Sequence, residues 1–148
     1  MNKPLKDTVD IIGRYEEPGG VLPLPLYASR VQAGFPSPAD DAVETALDLN
    51  RYLIKHPAAT FFVRVSGDSM IQASIHAGDI LIVDRSLSPK TGNIVIAIVD
   101  GELTVKRLKI QTNQYILVPE NSNYQPLVIT PDMDFSIWGV VTTVIHSV

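Results

Sequence analysis

Asn93-Ile94-Val95-Ile96-Ala97-Ile98-Val99-Asp100-Gly101-Glu102-Leu103-Thr104-Val105-Lys106-Arg107-Leu108 reads as two apolar, β-branched runs joined by Asp-Gly. An Asp-Gly pair between such runs signals a two-residue hairpin, because both central residues of that turn need positive φ. The expected strands are 93–99 and 102–108. Alternation along the second puts Thr104, Lys106 and Leu108 on one face, with Val105 and Arg107 on the other. A lysine in such a strand is ordinarily its solvated position, so the hairpin alone gives Lys106 no chemical role.

Outward from the hairpin the same β pattern continues. Further strands are expected at Phe61–Val65, Asp79–Val83, Tyr115–Val118 and Ser136–Ile145. Turn chemistry separates them at Ser88-Pro89-Lys90-Thr91-Gly92 and between Pro119 and Pro126. Residues 1–38 hold six of the eleven prolines, and Pro18-Gly19-Gly20 interrupts them further, which describes an extended arm and not a domain. Ser37-Pro38-Ala39-Asp40 reads as a helix start, with serine as N-cap and proline at the first helical position. Val43, Ala46 and Leu47 recur at helical spacing, predicting a helix over 38–49. The fold class is therefore mostly β: one core, one short helix and an extended N-terminal arm. The long apolar strand Ser136–Ile145 is expected at a sheet edge, where it would seek a partner.

The chemistry centres on Ser69, in Gly67-Asp68-Ser69-Met70, with Lys106 following 37 residues later. A serine hydroxyl is a poor nucleophile until a neighbouring base removes its proton, and lysine can be that base only when neutral. An apolar setting favours the neutral amine by penalising its charge, so such a lysine belongs in an apolar strand. Upstream, Val31-Gln32-Ala33-Gly34-Phe35-Pro36 joins two small residues between apolar anchors. Gly34 adds backbone freedom and little bulk, so a nucleophile could approach the Ala33 carbonyl closely.

Several classes are excluded or weakened by what the chain contains. With 148 residues, 45% of them hydrophobic, it is long enough for one compact domain. A net charge of −4 argues against direct DNA binding, which normally shows a basic patch. There are no cysteines, hence no disulfides or thiolate metal sites. No apolar stretch reaches the length of a membrane span, and Met1-Asn2-Lys3-Pro4-Leu5-Lys6-Asp7 lacks the apolar core of a signal peptide. A cytoplasmic protein is expected, unlike the membrane-anchored signal peptidases that also use serine and lysine. His56, His76 and His146 are far apart in sequence, so they read as ordinary surface or packing residues, and no metal or other cofactor is expected. Asp132 and Asp134 lack the rest of a calcium loop. Asp40-Asp41 is explained by the positive end of the expected helix. There is no phosphate-binding glycine loop, no nucleophile elbow and no histidine placed to complete a triad.

Five segments occur in order: Gly67-Asp68-Ser69-Met70; Gly78-Asp79-Ile80-Leu81-Ile82-Val83-Asp84; Thr104-Val105-Lys106-Arg107-Leu108; Pro119-Glu120-Asn121 with Tyr124 and Pro126; and Trp138-Gly139-Val140-Val141. Together they resemble the self-cleaving domain of the LexA/UmuD serine-lysine peptidase family, over roughly residue 25 to the C-terminus. The resemblance implies Ser69 as nucleophile, Lys106 as general base and Ala33-Gly34 as the cleaved bond. Backbone N–H groups of Ser69 and its neighbour Asp68 are the natural oxyanion stabilisers, since no asparagine or glutamine adjoins the serine. The 33 residues before Gly34 are too few and too proline-broken for a helix-turn-helix reader of DNA, which points to the UmuD-type mutagenesis subunits. The expected organisation is a cleavable arm over 1–33 and a β-rich peptidase and dimerisation domain over 34–148.

By the same resemblance, cleavage belongs to the SOS response to DNA damage. A RecA–single-stranded-DNA filament triggers it, and the product is a homodimer that serves a UmuC-like Y-family polymerase in translesion synthesis. The alternative is a non-catalytic polymerase-binding or regulatory module whose Ser-Lys pair is vestigial. The fragment 34–148 is expected to stay folded, because the arm contributes little to the apolar pattern of the core.

Overall fold

The computed structural model describes residues 8–17, 23–27 and 43–148. Among them the strands are β1 (Val9–Arg14), β2 (Pro23–Tyr27), β3 (Val43–Asp48), β4 (Thr60–Val65), β5 (Ile80–Asp84), β6 (Ile94–Val99), β7 (Glu102–Gln111), β8 (Gln114–Val118), β9 (Leu127–Val128) and β10 (Phe135–Ile145). One short helix, α1 (Leu49–Leu53), follows β3. The expectation of a mostly β fold holds. Two compact units are present: β1 with everything from Ala58 onward, and a smaller unit holding β2, β3 and α1.

The larger unit is built on one sheet of eight strands in the order β1-β4-β5-β10-β6-β7-β8-β9, every neighbouring pair antiparallel. The hairpin forms where Asp-Gly requires it. Asp100 and Gly101 take φ of 48° and 83°, and β6 pairs with β7 from Ile94↔Arg107 to Val99↔Glu102. A second tight turn at Thr112-Asn113, both at positive φ, carries β7 into β8.

Period-two alternation divides the buried side chains into two clusters. One contains Val63, Val65, Leu81, Val83, Ile96 and Val105; the other contains Val95, Ala97, Leu108, Leu117 and Val140. Val105 and Leu108 thus bury in different clusters, as alternation along β7 requires. Burying both sides of the central strands accounts for their near-continuous apolar composition.

Three expectations change. The strand Ser136–Ile145 is central, not an edge: β10 lies between β5 and β6, bonded to both, and the edges are β1 and β9. A long apolar strand is as well satisfied by two neighbours as by a second subunit.

The arm also contributes to the core. β1 pairs with β4 from Val9↔Val65 to Arg14↔Phe61, and Val9 is buried with Val63 and Val65.

The helix expected over 38–49 is replaced, across its described part, by β3, which pairs with β2 from Pro23↔Asp48 to Tyr27↔Val43. β-branched Val43 and Thr45 favour a strand. Pro23 and Pro25, two residues apart, keep their missing N–H groups on one side of β2. The helix begins only at Leu49, capped by Asp48, whose carboxylate accepts the Asn50 N–H at 3.1 Å. Ser37 and the rest of the expected helix start lie outside the described residues.

Candidate active site

Ser69 stands in the loop after β4. Gly67, at φ 84°, adopts the left-handed conformation that glycine enters at no steric cost, and the chain then turns through Asp68 and Ser69. Met70 is buried in the larger core cluster and anchors the loop from beneath. A single turn of 3₁₀ helix, Ile71–Ala73, follows.

The loop is braced by the segment after β8. The Glu120 N–H donates to the Ser69 carbonyl at 2.8 Å, and the Gln72 N–H donates to the Glu120 carbonyl at 2.8 Å. Asn121 Nδ2 donates to the Asp68 carbonyl at 2.8 Å, and the Tyr124 hydroxyl donates to the Asp68 carboxylate at 2.6 Å. The brace is fixed to β7 in turn, because the Arg107 guanidinium binds the Glu120 carboxylate and the Gly92 carbonyl.

β7 supplies the lysine. Lys106 Nζ donates to Ser69 Oγ at 2.9 Å, to Thr104 Oγ1 at 2.8 Å and to the Val105 carbonyl at 3.1 Å. Thr104 lies two residues before Lys106 and so shares its face of the strand, which is why its hydroxyl reaches the amine. Ser69 is 1% exposed, so the contact between hydroxyl and amine is sheltered from bulk water. Beside it opens a cleft of ≈ 480 Å³, lined by Leu103, Thr104, Lys106, Leu117, Gln125 and Leu127.

The structure brings Ser69 and Lys106 together from separate elements. Ala33 and Gly34 lie outside the described residues. Thr104 carried no assigned role in the sequence, although its spacing from Lys106 was a usable signal. Glu120, Asn121 and Tyr124 stood in the motif series, but their action on the serine loop needs the return of the chain after β8 to be seen. The Arg107 side chain turns away from the amine, as expected.

Two of the three histidines, far apart in sequence, meet in the fold. His76 and His146 lie 4.9 Å apart, ring centre to ring centre, and both approach the buried carboxylate of Asp79. Burial alone would push the Asp79 carboxyl up. The His76 backbone N–H, the His146 ring and the charges of both imidazoles outweigh it and hold the carboxyl below the usual range.

No helix among the described residues is long and apolar enough to cross a membrane.

Comparison with known proteins agrees with the motif series. Residues 25–142 match the family described as peptidase S24-like. The chain is 52% identical to protein ImpA of Salmonella typhimurium over 122 residues, covering 82% of this chain and 83% of that protein. It is 47% identical to protein MucA of Escherichia coli over 120 residues, 80% of this chain and 82% of that one. It is 42% identical to the LexA repressor of Stenotrophomonas maltophilia over 123 residues, 83% of this chain and 57% of the repressor. The resemblance to the LexA/UmuD group therefore holds across most of the sequence. The chain belongs to the peptidase S24-like family.

Proposed function

We propose that this chain is a self-cleaving serine-lysine peptidase that cuts its own Ala33-Gly34 bond, and that the product 34–148 serves an error-prone polymerase in SOS mutagenesis. The observation that carries the reading is the 2.9 Å contact between Lys106 Nζ and the buried Ser69 Oγ. Family membership and the similarity to ImpA, MucA and a LexA repressor support the same reading.

With its amine neutral, Lys106 accepts the Ser69 proton as Oγ attacks the Ala33 carbonyl carbon. Thr104 Oγ1 and the Val105 carbonyl hold Nζ in place through the transfer. Backbone N–H groups at Ser69 and Asp68 stabilise the oxyanion. Collapse of the tetrahedral adduct breaks the Ala33–Gly34 bond, and the leaving Gly34 amine takes the proton from Lys106. Water then attacks the acyl-serine and gives a proton to Lys106, which passes it to Ser69 Oγ as the ester bond breaks, freeing the Ala33 carboxyl group and restoring Ser69 and the neutral amine. The cleft beside Lys106 suits an extended apolar segment such as 31–36, in which Val31 and Phe35 flank the bond. Tethering makes the attack effectively unimolecular, so docking of the arm gates the rate.

By the same family relationship, a RecA–single-stranded-DNA filament favours the docked arm. The cut chain forms a homodimer and engages a UmuC-like Y-family polymerase. Loss of residues 1–33 would remove β1 and uncover the outer edge of β4, an unpaired strand edge suited to a partner.

The test is incubation of the purified full chain at alkaline pH with mass determination of the products. A fragment with the mass of 34–148 is expected from the native chain and none from Ser69→Ala. An uncut native chain, both alone and with the RecA filament, would leave the vestigial reading standing.

A further inference from the structure

We infer that His76, Asp79 and His146 form a binding site for a divalent transition-metal ion of the zinc type, apart from the Ser69–Lys106 pair. β5 and β10 run antiparallel with Ile80 opposite Ile145. Continuing that register by one residue at each end sets Asp79 beside His146. The turn before β5 then brings in the third group. Gly78, at φ 91°, reverses the chain so that the His76 N–H meets Asp79 Oδ2 at 2.8 Å. The chain thus gathers two imidazoles and a carboxylate whose donor atoms all lie within 4.8 Å of one another.

The donor set selects the ion. Two nitrogen donors and one carboxylate oxygen suit zinc and its first-row neighbours, whereas magnesium and calcium take oxygen ligands. Three protein ligands leave a fourth tetrahedral position for water. The His76 and His146 side chains are 42% and 46% exposed, so that position can open to solvent while Asp79, 4% exposed, anchors the site from below.

Two further details favour a bound ion over a simple structural clasp. His146 Nδ1 meets Asp79 Oδ1 at 2.6 Å, so that ring already has a partner. Yet His76 Nδ1 is buried with no hydrogen-bond partner among the described residues, and sits 3.7 Å from Asp79 Oδ2. A buried nitrogen in that position bears an uncompensated desolvation cost. An ion held by His76, Asp79 and His146 would satisfy it.

The experiment uses the full-length, untagged Ser69→Ala chain, stripped with chelator and titrated with Zn²⁺ against a chromophoric chelator. Uptake of one equivalent is expected, unaffected by millimolar Mg²⁺ or Ca²⁺. His76→Ala and His146→Ala should each lower affinity by at least about 100-fold, more than loss of an outer-shell partner would. His56→Ala, which removes the remaining histidine, should leave affinity unchanged. Absence of competitive uptake, or uptake insensitive to His146→Ala, would overturn the site. The unsubstituted site gives a readout independent of mutant folding: with Co²⁺ bound, the intense visible bands of a four-coordinate site are expected. A weak, water-like Co²⁺ spectrum would overturn the proposal.

Discussion

The Glu120 N–H donates to the Ser69 carbonyl at 2.8 Å, so the segment leaving β8 holds the backbone of the nucleophile loop. Asn121, 8% exposed, extends the brace through Nδ2 to the Asp68 carbonyl and through Oδ1 to the Asn123 N–H. Asn121→Ala leaves those groups without partners, at a cost of about 1–3 kcal/mol. Thermal unfolding should register that loss. The cleavage rate should fall as well, at temperatures where both chains are folded, because Ser69 is no longer held toward Lys106.

Gly139 is predicted to resist any side chain. It ends the register shift in the β10–β6 pairing, and a Cβ there would meet Val83 Cγ1 at 2.5 Å and Arg85 Cγ at 3.2 Å. Val83 is fully buried and cannot swing away. Gly139→Ala should destabilise the chain by about 1–3 kcal/mol, measured by denaturant midpoint at unchanged slope.

Asp79 gives a pH dependence of defined sign. Its folded carboxyl lies below the ordinary value, so its stabilisation is present above the unfolded pKa and is lost as pH falls through the folded one. In the presence of chelator, Asp79→Asn should therefore be less stable than the native chain at neutral pH. The gap should close only as the solution is acidified below about pH 4. A gap that stays constant down to the lowest pH at which both chains fold would show that the charge of Asp79 carries none of this stability.

Removal of the arm should register on β4. In the 34–148 fragment, the β4 amides that face β1 lose their partners, and hydrogen exchange there should accelerate relative to full-length Ser69→Ala. Protection of the β6–β7 amides, interior to the sheet, should persist. Unchanged protection along β4 in a monomeric fragment would contradict the uncovered edge.

The strands were legible where local chemistry and tertiary pairing agree. Asp100-Gly101 allows little but a tight turn, and the flanking runs had only to pair across it. The expected helix gave way to a strand over Val43–Asp48 because three apolar residues at helical spacing carry little weight against cross-strand pairing with Pro23–Tyr27. The internal place of β10 was hidden because strand order is a property of the whole sheet. A long apolar strand reads alike at its centre and at its edge. Lys106 and Ser69 could be singled out by residue type, but their contact depends on a loop braced from beyond β8. The nearness of His76 and His146 follows from the β5–β10 register, and no spacing along the chain displays that.

Gly34→Glu places bulk and charge at the bond to be cut, while Ser69 and Lys106 remain in place. It should abolish self-cleavage by at least about 100-fold, as misplacement of a reacting group does. The same protein should still cut a supplied peptide spanning residues 28–40. Failure on that peptide would place the defect in the site and not in the bond.

The most direct measurement is the rate of intramolecular cleavage between pH 7 and pH 10 for the native chain and for Lys106→Ala, both shown to be folded by circular dichroism. A base that must lose its proton to act becomes more abundant as pH rises, so the native rate should climb across this range. Lys106→Ala should fall by at least about 100-fold, the lower end of what a positioned general base contributes, and lose that climb. A Lys106→Ala chain that cleaves at the native rate, with the same pH dependence, would contradict the assignment of Lys106 as the base that activates Ser69.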